Sequence, residues 1–325
     1  MPDGIAGSTM ITKTAVQATG NVGATIQPLP HIAVCICTYQ RPDLLKRLLE
    51  GLAGQETEGL FTYSIVVVDN DQARSAEPAI AEFSRGSQVP ITYCVEPRQN
   101  IALARNKAVE VAEGDFVAFI DDDEFPTKPW LLTLFKTCRE RQVDGVLGPV
   151  KPHFDVQPPK WVVTGKFYDR PSYPTGLVID GKKGRTGNVL LKKQVFAGQD
   201  SPFRPEFLTG EDQDFFGRMI EKGHVFIWCH EALAYEVVPP IRWNRTFMLR
   251  RALLRGATSR LHNRFGARDI ATSIIAVPAY TVALPFALAL GQGRFMTYLV
   301  SLCDHIGRLL ALMGINPVRD TYVTQ

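Results

Sequence analysis

Between residues 31 and 141 the chain alternates four times between a short apolar run and a helix-like stretch, and few folds accept that pattern. The runs are 32–37 (IAVCIC), 65–68, 91–95 and 116–120, rich in β-branched and aromatic residues like strands buried on both faces. Residues with helical spacing follow each one: 43–52, with Pro42 at the first turn, then 75–84, 100–112 and 129–141. Such alternation specifies an α/β fold, a mostly parallel sheet flanked by helices. Every run also ends in polar residues: Thr38, Asp69, Glu96 and Asp121. Crossovers of one hand bring those ends to one edge of the sheet, where open α/β folds hold their ligands.

The run GDFVAFIDDDE (114–124) ends most abruptly. Four successive carboxylates, Asp121 to Glu124, repel one another and resist unpaired burial. Alternate side chains of an extended chain share a face, so Asp121 and Asp123 are expected to point together. Two such carboxylates suit a hard divalent cation, Mg²⁺ or Mn²⁺. A solvated acidic turn is the plainer reading of the same residues.

Past residue 145 the alternation loosens. Residues 146–150 read as another strand, 189–191 as a strand returning to the core, and 224–228 and 232–238 as two closing strands. Segment 151–184 is irregular and aromatic-rich, with Trp161, Phe167, Tyr168 and Tyr173, as expected of a binding loop or lid. The acids of GEDQD (210–214) open a helix over 215–222.

Of the 325 residues 45% are hydrophobic and 21% charged, an ordinary globular balance, and a net charge of +3 gives no reason to expect a nucleic-acid partner. The six cysteines are scattered through apolar runs and read as reduced, buried thiols. Residues 1–30 lack the features of a signal peptide and read as a disordered leader, with the main domain at 31–240. From 241 to 325 the character changes. Eight arginines and no acid lie between 242 and 268, which reads as a basic helix. An uncharged apolar stretch follows at 270–290, the length of a bilayer span, with Pro278 and Pro285 suggesting a broken or re-entrant helix. Residues 295–313 are amphipathic. A buried helix of a soluble domain is the alternative, but the arginine block points to a membrane-associated appendage at the cytosolic face.

The ordered motifs CTYQRP, VVVDND, NIALARN, GDFVAFIDDDE and GEDQDF resemble family 2 glycosyltransferases of the GT-A fold over roughly 31–240. With VLGPV and RTGNVLL at their spacing, the chain is most similar to bacterial exopolysaccharide glucosyltransferases of the succinoglycan type. The resemblance implies an inverting enzyme that takes a sugar from a UDP-sugar, UDP-glucose in the first instance, to a saccharide or lipid-linked acceptor. It implies that Thr38 and Tyr39 line the base pocket and that Asp69 accepts from the uracil imide. Asn100, Arg105 and Asn106 would sit by the nucleotide phosphates. Asp121 and Asp123 would be the DxD pair, the first near ribose and metal, the second a metal ligand. Asp212 would be the catalytic base, and Arg185, Gly187, Asn188 and Glu211 the acceptor side. Ile101-Ala102 stands where many relatives carry a glycine. The QxxRW motif of processive synthases is absent, since no glutamine precedes Arg242-Trp243 at the required spacing.

Plainer roles exist for these residues: Asp69 as a helix cap, Glu211 and Asp212 as N-terminal helix acids. A sugar-phosphate nucleotidyltransferase would also use paired carboxylates on a parallel sheet, yet 38–42 offers it no glycine-rich phosphate loop. A non-catalytic nucleotide-binding scaffold is the third reading, and intact Asp121, Asp123 and Asp212 speak against it.

Overall fold

The computed structural model describes residues 28–207, 210–259 and 266–315, so the expected leader falls almost wholly outside it. β1 (His31–Thr38), β2 (Thr62–Asp69), β3 (Ile91–Val95) and β4 (Phe116–Phe119) form the parallel half of a seven-stranded sheet. α1 (Pro42–Ala53), α2 (Glu77–Gly86) and α3 (Ile101–Val111) are the crossovers between them. Alternation along β1 explains why both faces are covered. Ile32, Val34 and Ile36 join the leucines of α1 in one core, and Ala33 and Cys35 join the alanines of α3 in another. Cys37 packs in that second core too, so Cys35 and Cys37 do share a face, and all six cysteines are free thiols.

After β4 the chain does not run straight into a helix. β5 (Glu124–Pro126) comes first, then α4 (Trp130–Arg141), β6 (Gly145–Leu147) and β7 (Val150–His153). The single strand expected at 146–150 is thus two, in different sheets, broken at Gly148-Pro149. A Cβ on Gly148 would lie 2.2 Å from the Ala232 carbonyl oxygen, so only glycine permits this approach. A short α5 (Lys160–Thr164) is the regular element within the long 154–188 segment.

β8 (Val189–Lys192) then inserts antiparallel between β4 and β6, α6 (Glu211–Glu221) covers the second core, and β9 (Phe226–Trp228) pairs with β6. The large sheet has the order β3-β2-β1-β4-β8-β6-β9. β10 (Ala234–Val237) lies between β5 and β7 in a three-stranded sheet of its own.

The appendage comprises α7 (Arg245–Thr258), α8 (Ala267–Ala289) and α9 (Gln292–Leu312), with the end of the expected basic helix outside the described residues. α8 is one continuous helix despite Pro278 and Pro285, which corrects the expectation of a break. An internal proline removes one backbone hydrogen bond, at a cost of about 3 kcal/mol, and this long helix, packed along α9, carries two. Ile274, Ile275, Val282 and Phe286 of α8 are each more than half exposed, and both α8 and α9 are long and apolar enough to cross a bilayer.

Asn188 holds the middle of the fold together. It is fully buried with φ +60°, a backbone conformation asparagine tolerates better than most residues. Its Oδ1 accepts from the Trp130 indole at 2.7 Å, and its Nδ2 donates to Pro149 O at 2.8 Å and Ala232 O at 2.7 Å. These bonds tie α4, β8 and both sheets. Asn188→Ala strands a buried indole N–H and two carbonyls, so unfolding in denaturant should show a loss of about 3 kcal/mol or more. A loss under ~1 kcal/mol would remove Asn188 from that structural role.

Candidate active site

The strand ends meet as expected, at the carboxyl edge of the parallel half. Thr38 closes β1, and its hydroxyl donates to Asp122 Oδ2 at 2.8 Å. Arg41, in the loop just beyond, reaches Asp122 Oδ1 at 3.0 Å and Asp123 Oδ2 at 3.4 Å. The strand stops at Phe119, and the Glu124 amide donates to Asp121 O at 3.0 Å in a tight turn. The alternation argument therefore fails for the acids. Asp121 faces Arg105 at 3.5 Å, while Asp123 Oδ2 accepts from Arg242 at 2.7 Å.

The residue that joins the distant motifs is Arg105 on α3. It is buried, and it ion-pairs with Glu211 at the start of α6 as well as with Asp121. Burial opposes its charge, but Glu211 and Asp121 more than reverse that and hold it protonated. Asp212, next to Glu211, comes into the same field. Burial first and then Glu211 push its carboxyl up to about 6, while Arg105 and the Gln213 amide, 2.7 Å from Oδ1, pull it down. A carboxylate poised there is suited to take a proton near neutral pH. Asp122 is pushed up to about 6 by burial and by Asp123, against Arg41. Burial likewise raises Asp121 and Glu124.

Four expected site residues are committed elsewhere. Asp69 is fully buried, and its oxygens accept from Asp71 N at 3.1 Å, Ala76 N at 2.8 Å and Tyr93 Oη at 3.0 Å. It organises the loop into α2. Asn100 caps α3, accepting from Ala102 and Leu103 amides. Asn106 pins the 201–203 loop through Ser201 and both backbone polar groups of Phe203. Asn188 serves the core described above. Tyr39 is half-buried at the strand end, and Arg185 and Gly187 line a small slot with Arg170 and Trp228. Burial and the neighbouring Arg170 lower the pKa of Arg185, against the pull of Asp212.

Other residues enter that the motifs did not single out. Arg170, from the irregular segment, reaches Glu236 on β10 at 2.5 Å and Glu124 at 3.7 Å. Arg242, just before α7, joins Asp123 to Glu236, which it meets at 2.8 Å. Without the glutamine of the synthase motif, Arg242-Trp243 carries no motif of its own in the sequence. The surplus of clustered acids was the signal that arginines had to come from somewhere.

The acid turn suits a hard cation. Glu124 Oε1 is buried without a hydrogen-bond donor. A Cβ on Gly187 would lie 2.8 Å from both that oxygen and Asp121 Oδ2, so only glycine lets the chain pass this close to the two oxygens, which converge there with Arg170 3.7 Å from Oε1. Both arginines on Asp123 take Oδ2, leaving Oδ1 outside the clamp. Oxygen-only donors of this kind fit Mg²⁺ or Mn²⁺. No three metal-ligating side chains converge among the described residues. A cation here would draw further oxygens from a bound diphosphate.

The description Glycosyl transferase family 2 matches residues 33–196, a stretch that contains the β1 end, Arg105 and the acid turn. The chain belongs to glycosyl transferase family 2. This family 2 chain is 30% identical over 300 residues to the succinoglycan biosynthesis protein ExoM of Rhizobium meliloti (strain 1021), covering 89% of this chain and 95% of that protein. It is 24% identical to the glycosyltransferase AglE of Haloferax volcanii, over 65% of this chain and 68% of that one. Its fold is GT-A-like, similar to the mannosyltransferase PcManGT from Pyrobaculum calidifontis in complex with GDP-Man and Mn²⁺, with TM-score 0.58 and 17% identity over 86% of this chain and 87% of that one. S. aureus TarS 1-349 in complex with UDP matches with TM-score 0.53 and 16% identity, over 87% of this chain and 92% of that one.

The raised pKa of Asp212 has a consequence for stability. An unfolded aspartate titrates near ~3.9, so the native state holds the proton more tightly. Stability contributed by that proton is full below about pH 4 and is lost as pH rises through the folded value of about 6. Asp212→Asn should therefore lose less of its melting temperature than the parent between pH 4 and pH 7.5. Equal losses in the two proteins would show that Asp212 titrates normally.

Proposed function

We propose that this chain is an inverting glycosyltransferase that moves a sugar, glucose in the first instance, from a UDP-sugar to a lipid-linked saccharide at the cytosolic face of the membrane, in exopolysaccharide synthesis. The observation that carries the reading is Arg105, which brings the acid turn after β4 and the acidic start of α6 to one guanidinium.

The roles follow from the chemistry. The acceptor hydroxyl attacks the anomeric carbon from the face opposite the leaving diphosphate, which inverts the configuration and requires no enzyme nucleophile. Asp212, poised at about 6, takes the hydroxyl proton. Arg105 and Glu211 hold Asp212 beside Asp121. A divalent cation at Asp121 and Asp123 would act as a Lewis acid that neutralises the departing diphosphate. Tyr39 offers a ring at the strand end for the base, and Arg185 and Gly187 face the acceptor.

Support for the finer points is of three kinds. The relative from R. meliloti, a succinoglycan biosynthesis protein, supports a place in polysaccharide synthesis, and the complex of TarS with UDP supports a uridine donor. The exposed apolar faces of α8 and α9, preceded by the arginines of α7, support attachment to a membrane.

A donor screen reading released nucleotide, with membrane lipid as acceptor source, should favour UDP-glucose and require Mn²⁺ or Mg²⁺. Asp212→Asn should lower transfer by ~10²-fold or more while changing UDP affinity less than about twofold. A large loss of UDP affinity would place Asp212 at the nucleotide instead. In flotation with anionic vesicles, the full chain should rise with lipid and a chain ending at residue 259 should not. Equal flotation of the two would move the anchor out of α8 and α9.

A further inference from the structure

A cavity of about 240 Å³ lies at the seam between the catalytic domain and the appendage, apart from the acid turn. One wall is the irregular segment at Tyr168 and Arg170, the base is Glu236 on β10, and the opposite wall is α7, through Phe247 and Arg251. Val300 of α9 closes the side toward the apolar helices. This volume is below the ~300–1,000 Å³ of pockets for drug-sized ligands, so it suits one compact polar group.

The charges around it are unequal in their commitments. Arg170 is held by Glu236 and Glu124, and Arg242 behind it by Asp123 and Glu236. Arg255, one turn beyond Arg251 and also on the wall, pairs with Asp304 of α9 at 2.8 Å. Arg251 has no carboxylate within ion-pair distance among the described residues. Asp169 also lines the cavity, and it makes no ion pair there. Desolvation and then the neighbouring Arg242 lower the pKa of Arg251, with Glu236 and Tyr168 opposing them, and the residue stays exposed at the cavity wall. A guanidinium with a second cation beside it and no carboxylate in ion-pair reach has donors left for an anionic oxygen, and it forks naturally onto phosphate.

Position narrows the ligand further. The cavity opens beside α9, whose partner α8 exposes a row of apolar side chains, so a hydrocarbon tail leaving the cavity would meet an apolar surface. On its other side Arg170 is a shared wall. The same residue lines the slot of Arg185 and Gly187 on the acceptor side of the cleft. An anion seated at Arg251 thus lies between the apolar helices and the acceptor side.

We propose that this cavity is the seat of the phosphate head of the lipid-borne acceptor, with Arg251 its principal ligand. The proposal deepens the transferase reading and rests on it for the word acceptor, but the binding site itself is tested without catalysis. The full chain, in neutral detergent and saturated with UDP and Mn²⁺ so that the nucleotide cleft is filled, is titrated calorimetrically with three probes. Farnesyl diphosphate should bind, and farnesol and inorganic diphosphate should bind at least about tenfold more weakly, since each lacks one half of the recognition.

Arg251→Gln should weaken farnesyl diphosphate about tenfold, the loss of one charge-assisted hydrogen-bonded pair, and Arg251→Lys should restore part of it. Val300→Trp, which fills the cavity from α9, should abolish binding, and its UDP affinity reports whether the variant is folded. Farnesyl diphosphate affinity that ignores both Arg251→Gln and Val300→Trp would overturn the assignment. So would inorganic diphosphate binding as tightly as the lipid, which would mark a site for free anions. Failure to bind any nucleotide sugar would sink the transferase reading while leaving the lipid titrations to stand or fall alone.

Discussion

A guanidinium buried among carboxylates organises this molecule. Arg105 projects from the helix that follows β3 and meets Asp121 at the end of β4 and Glu211 at the start of α6, 106 residues along the chain. Removing an arginine from water is costly unless acids accompany it, and clustering acids is costly unless a cation sits between them. Each group needs the other, so neither the α6 start nor the acid turn is free to settle elsewhere. The result is an Asp212 carboxyl pushed up to about 6 and no further, because the arginine offsets part of what burial imposes.

Around that centre is a second layer of arginines with a different origin. Arg41 comes from the loop after β1, Arg170 from the irregular segment and Arg242 from the entrance to the appendage. Together they compensate Asp122, Asp123, Glu124 and Glu236. Arg242 matters most for the plan of the protein, because it fastens the first turn of the appendage to Asp123. The helices that carry the apolar surface are thereby joined to the acidic edge of the sheet through a buried ion pair as well as through the chain. Such pairs hold geometry at the expense of stability, the usual compromise where acids must stay available for chemistry.

The acidic motifs were legible because they break the apolar pattern at strand ends, and only a site explains so much charge beside a core strand. Asp121 stands out on that ground, whereas Asp212 stands in a motif that opens a helix, and the structure brings both to Arg105. Other polar residues of the motifs have partners within the fold itself. Asp69, Asn100, Asn106 and Asn188 are residue types that bind ligands well and bind backbone equally well. In each case nearby amides or carbonyls, several from loops far away in sequence, claim the side chain. The paired-face reading of Asp121 and Asp123 failed for a simple geometric reason. It assumed an extended chain, and the strand had already ended two residues earlier.

What the sequence determined by itself is the alternation of strand and helix, the common edge at which the strands end, and the identity of the acids gathered there. Apolar periodicity and turn chemistry act over a few residues, so they can be read locally. Only the tertiary structure decided which cations answer those acids, which asparagines serve the core, and where β6 and β7 part into separate sheets. Those outcomes depend on contacts between segments a hundred residues apart, formed only when the two cores close on either side of the sheet and force every buried charge and amide to find a partner.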